Sequence, residues 1–179
     1  MMIGLDKQFA RRLAIMLESG LIWYEHYFMF CDEIIEKLDK PPYWIIDLAV
    51  TSYNKDAERI VNTYAFSEPF EAFEDSLFDL HIGCLFLRYE RREMSWSAFL
   101  KASGDFADGY QIVKNGCGFF YDMLDMYVHS EYSADLEYRQ AEMLQKDFKE
   151  EIEEARWLYA PFVYYFRKYV LSHKGQSEA

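Results

Sequence analysis

Apolar residues recur along this chain at steps of three and four, the spacing that gathers them on one face of an α-helix. Phe9, Leu13, Met16 and Leu17 predict a helix over about Lys7–Glu18, closed by Gly20 as a C-terminal cap. A second helix follows over about Ile22–Leu38, and its first half is apolar on most sides, which predicts deep burial. Asp39-Lys40-Pro41-Pro42 breaks it, and the prolines suit the first turn of a third helix over about Tyr43–Tyr53. A fourth runs over about Asp56–Phe66.

The clearest seam follows Pro69: Phe70, Phe73, Leu77, Leu80, Cys84 and Leu87. It predicts a bundle helix capped by Ser67 and begun at Pro69. Glu71, Glu74, Asp75 and Asp79 fall on its adjoining faces, and Arg88, Arg91 and Arg92 close it. Acids early and bases late complement the helix dipole, so this charge pattern has a local explanation. Ser95 caps the next helix, with Trp96, Phe99 and Leu100 inward. Asn115-Gly116-Cys117-Gly118 reads as a turn, and Phe119–His129 as another helix. The last helical region begins near Ser133 and carries the seam Phe148, Ile152, Ala155, Tyr159, Phe162, Phe166 and Val170. Pro161 lacks an amide hydrogen and crowds the preceding turn, so a kink or split is expected there. No sustained period-two alternation marks a strand. Trp44, Leu48, Asp56, Ile60 and Val61 match Trp96, Leu100, Asp108, Ile112 and Val113 at one offset. Related hairpins and shared helical periodicity both produce such a match.

The prediction is an all-α bundle of about seven to eight helices in a single domain over 1–172, with 173–179 as a frayed tail. Composition adds to this. Hydrophobic residues make up 51% of the chain, ample for a core, and there are 15 Tyr, 15 Phe and 4 Trp. Fifteen tyrosines are too many for all to be buried and satisfied, so some within Tyr127–Tyr138 or Tyr159–Tyr169 should show their hydroxyls to solvent.

Acidic residues number 31 against 19 basic ones, a formal net charge of -12. That balance argues against nucleic acid, whose phosphates are bound by Lys and Arg, and against an anionic membrane surface. It admits a basic protein partner, and it also serves simple solubility. The three cysteines, Cys31, Cys84 and Cys117, are far apart and form no CxxC. They read as reduced thiols of a cytoplasmic protein. The first residues meet charge early and do not read as a secretory signal. The longest apolar runs are too short to span a bilayer as helices.

Candidate chemistry is sparse. Asp122, Asp125 and His129 share one face of a helix, a geometry that suits a metal site or an oriented base. The same acids beside a late-turn histidine also suit a helix end with no ligand. His26 lies in an apolar helix, where a hydrogen-bonded core histidine is the simpler reading. Cys117 between two glycines has no nearby histidine to make it a nucleophile. There is no Glu-x-x-His pair for a di-iron centre, no complete calcium loop, no P-loop and no Gly-x-Ser-x-Gly elbow. No cofactor is implied.

Lys40-Pro-Pro-Tyr-Trp-Ile-Ile-Asp-Leu-Ala49 resembles segments of small, acidic, mostly helical bacterial proteins, some of them immunity proteins encoded beside secreted toxins. The resemblance carries no functional residue over. It implies inhibition of a cognate toxin by tight binding, in the bacterial cytoplasm. The leading expectation is therefore a non-enzymatic protein-binding protein. Glu71, Glu74, Asp75 and Asp79 are its candidate face, and Asp122, Asp125 and His129 a second one. An enzyme or metal-binding domain built on that second group is the alternative from another class. A homo-oligomer that buries an aromatic face is a third.

Overall fold

The chain is all helical in the computed structural model, which describes residues 4–174. Among these residues are nine α-helices and no strand. They are α1 Lys7–Glu18, α2 Tyr24–Lys37, α3 Tyr43–Ala49, α4 Asn54–Ala65, α5 Leu77–Glu90, α6 Trp96–Gly109, α7 Gly116–His129, α8 Ala134–Asp147 and α9 Lys149–Lys174. None of them is long and apolar enough to cross a membrane. Several begin where short polar side chains predict: Asp6 accepts from the Phe9 amide at 2.8 Å, and Ser95 from the Ala98 amide at 3.2 Å.

The contacts sort the residues into two compact units, Met1–Phe73 with Trp157–Ala179, and Glu74–Arg156. In the first, α1 packs on α4 and α2 on α3. Its core includes the fully buried Leu13, Tyr27, Ile45 and Phe162. Phe30 and Phe162 meet with ring centroids 4.6 Å apart. In the second, α6 packs on α7 and α5 on α6. Trp96, Phe99, Phe120, Leu144 and Phe148 form the centre of its core. Cys31 and Cys84 are buried in these interiors, as small apolar fillers would be, and Cys117 is half-buried.

Several element boundaries differ from the expected ones. The helix expected from Pro69 begins at Leu77, and Phe70 is 74% exposed. Side chains of α1 hold the intervening segment instead. Lys7 Nζ donates to the Ser67 carbonyl at 2.7 Å and to that of Pro69, and Gln8 Nε2 donates to the Ala72 carbonyl at 3.2 Å. Those carbonyls are taken from outside the segment, with no helix of their own.

The last helical region divides at Phe148 (φ -110°, ψ 28°), with α9 running through Pro161. Lys114 Nζ donates to the Asp147 carbonyl at 3.1 Å and satisfies the end of α8. Pro161 removes the amide that would bond the Trp157 carbonyl. Trp157, Ala160 and Tyr164 are exposed, so the gap lies on the wet side of α9. His173, expected to begin the frayed tail, lies in α9, and 175–179 lie outside the described residues.

The internal match between the Trp44 and Trp96 segments has no structural counterpart. Asp56, Ile60 and Val61 lie in α4, whereas Asp108 is in the last turn of α6 and Ile112 and Val113 sit in the turn after it. Helical periodicity alone accounts for it.

Candidate functional site

The structure disperses the first acidic group. Glu71, Glu74 and Asp75 are exposed in the irregular segment before α5, and only Asp79 is helical. Glu71 belongs to the first unit and the other three to the second. Asp79 is buried in the first turn of α5, where its Oδ1 accepts from the Lys114 amide at 2.9 Å. Burial raises its pKa above the ordinary value of an aspartate, against the lowering effect of Lys114. These residues therefore share no helical stripe.

The second group keeps the common face its spacing predicts. Asp122, Asp125 and His129 all lie exposed on α7. His129 Nδ1 lies 2.8 Å from the Asp125 carbonyl oxygen and 3.2 Å from its Oδ1, so the imidazole folds back on its own helix. Among the described residues no three His, Cys, Asp or Glu side chains gather into a group that could hold a metal ion.

Apolar side chains stand beside these charges. Met126, on the same face of α7, is 57% exposed, and Tyr132, in the turn that follows, is 59% exposed. Tyr138 on α8, and Tyr164 and Tyr169 on α9, are also exposed, in the two stretches where tyrosine was expected to surface. Asp122 and Glu131 carry no ion pair, and Asp125 pairs only with His129, among the described residues. The turn is held in an unusual conformation: Glu131 and Tyr132 both have positive φ, 56° and 62°. Consecutive left-handed non-glycine residues cost free energy and persist only where the surroundings fix them.

A partly buried polar network supplies that support. Glu137 Oε1 accepts from the Tyr89 hydroxyl and its Oε2 from the Tyr127 hydroxyl, each at 2.7 Å. One carboxylate thus ties α5, α7 and α8 together. Burial, reinforced by the bond to Glu137, pushes the Tyr127 pKa up to about 12. The Tyr132 ring packs edge-on against Tyr127 with centroids 5.5 Å apart. The Tyr132 amide bonds the Tyr127 carbonyl at 3.1 Å, and Ser130 Oγ accepts from the Ser133 amide at the same distance. Deeper in, Trp96 Nε1 donates to Gln140 Oε1 at 2.8 Å, and Gln140 Nε2 donates to the Met123 carbonyl at 3.0 Å. Each polar atom of these contacts has its partner, which makes the network rigid.

Sequence reasoning missed Tyr89, Glu137 and Gln140, because hydrogen bonds between residues far apart leave no local spacing. One signal was present for Gln140: it sits four residues from both Leu136 and Leu144, on the apolar side of α8.

The arrangement offers exposed apolar and aromatic groups beside carboxylates that have no lysine or arginine partner among the described residues, on a braced backbone. Such a surface can bind a basic partner, since little side-chain or loop ordering is left to be done on association. No family model matches this chain, and comparison with curated proteins and with solved structures also finds no match.

Proposed function

We propose that this is a binding protein that captures a basic protein partner on the outer face of α7 and the turn after it. The observation that carries this reading is the exposure of Met126 and Tyr132 beside Asp122, Asp125 and Glu131 on a turn fixed by the Glu137 network. Carboxylates without lysine or arginine partners steer a cationic surface into encounter. Tyrosine then supplies contact area at low entropic cost. The resemblance of Lys40–Ala49 to immunity-type proteins suggests what such a partner would be, a secreted bacterial toxin neutralised by tight binding.

The test captures a basic protein with the purified chain and measures its association and dissociation rates at low and high salt. Asp122→Lys with Asp125→Lys should slow association about tenfold at low salt, an effect that fades as salt rises. Tyr132→Ala should mainly speed dissociation. A basic partner whose kinetics ignored both changes would remove this surface from the binding.

A further inference from the structure

A second surface, in the first unit, is distinct from the face on α7. A groove of about 500 Å³ lies between α3 and α4. Its aromatic wall is Trp44 stacked on Tyr64, with centroids 5.1 Å apart and planes 14° apart. Tyr43, also lining it, is 87% exposed. Ile46, one turn along α3 from Tyr43, and Val50, just after the helix, extend an exposed apolar strip.

The polar groups that line the groove are nearly all engaged within the fold. Thr63 Oγ1 donates to the Arg59 carbonyl at 2.8 Å, and Ser67 Oγ to the Tyr64 carbonyl at 2.7 Å. The Tyr64 hydroxyl donates to the Leu5 carbonyl at 3.3 Å, and the Arg59 guanidinium is held by Asp56 at 2.9 Å. Two groups stand apart. The Asp47 side chain is exposed and has no ion pair among the described residues. Trp44 is only 6% exposed, yet its Nε1 hydrogen has no acceptor. A buried donor without a partner is rare in a folded protein and calls for an explanation. Such a donor costs on the order of 1–3 kcal/mol.

We propose that this groove takes an extended segment of a partner protein that carries a lysine or arginine beside an apolar side chain. The cation pairs with Asp47, and the apolar group covers the Trp44–Tyr64 stack. Aromatic faces favour this occupant further, since a cation and its aliphatic stem both pack on them. A second copy of the chain is the poorer fit, because each copy carries a net charge of -12.

The probe is the dipeptide N-acetyl-Leu-Arg-amide, titrated into the full ¹⁵N-labelled chain while the indole N–H resonance of Trp44 is followed. We expect a saturable shift of that resonance in the millimolar range, the scale of a fragment of the true partner. Asp47→Asn should weaken it several-fold, Tyr43→Ala should weaken it too, and N-acetyl-Leu-Glu-amide should give no shift. Both substituted residues are exposed, so the fold is retained. Asp122→Lys with Asp125→Lys should leave the titration unchanged, which separates this site from the face on α7. No saturable shift, an equal response to the acidic dipeptide, or indifference to Asp47→Asn overturns the proposal.

Discussion

Asp79 shows how one residue's meaning depends on what closes over it. Its spacing in the sequence suits a solvent-facing acid, but the Lys114 amide binds it and the fold buries it. Burial favours the neutral carboxyl, so its folded pKa lies above the ordinary 3.8. Stability from the neutral form is fully present below that value and is lost as pH rises through the folded pKa. Asp79→Asn keeps an oxygen for the Lys114 amide and removes the charge. In urea unfolding from about pH 3 to pH 7, the variant should gain on the wild type as pH rises through that window, then level off. A difference that stays flat with pH would show that burial does not hold this carboxyl up. Tyr127 and Glu137 make the same point from the other side. Each is an ordinary helix residue in sequence, and only their 2.7 Å contact marks them as the brace of the turn.

Helix boundaries were legible where short-range chemistry decides them, at Asp6, Ser95 and Ser133, whose side chains accept from amides three residues on. They were illegible where distant groups decide them. The segment after Pro69 has a good apolar seam, but Lys7 and Gln8 take its carbonyls. The break at Phe148 had a sequence signal in Asp147 followed by Glu150, the spacing of a capping box, which the stronger rule about Pro161 obscured. Packing between elements leads to a further expectation. A Cβ at Gly83 in α5 would lie 2.5 Å from the Glu151 carbonyl oxygen of α9, and backbone cannot step aside cheaply. Gly83→Ala should destabilise by about 1–3 kcal/mol. Gly109 ends α6 with nothing within 4 Å of an added Cβ, and Gly109→Ala should be neutral or slightly stabilising. Chemical denaturation of both variants tests the contrast, and equal losses would refute a specific close approach at Gly83.

Across the whole molecule the dominant quantity is charge. A formal net charge of -12 opposes compaction by self-repulsion, which added salt screens. The thermal midpoint should therefore rise between low salt and about 0.3 M sodium chloride, before any ion-specific effect. A midpoint that fell with salt would mean that ion pairs such as Arg156–Glu90, at 2.6 Å, outweigh the repulsion. The same excess charge makes a basic partner the natural one for both proposed surfaces.

The sequence by itself determined the all-α class and most of the helix seams, because periodicity and caps act over a few residues. It also placed Asp122, Asp125 and His129 on one face of α7, since helix geometry alone does that. Only the tertiary structure decided which carboxylates are exposed, that Glu137 is clamped between two tyrosines, and that the Trp44 N–H is buried without an acceptor. Those outcomes depend on hydrogen bonds and burial between residues ten or more positions apart, and such contacts leave no periodic trace in the chain.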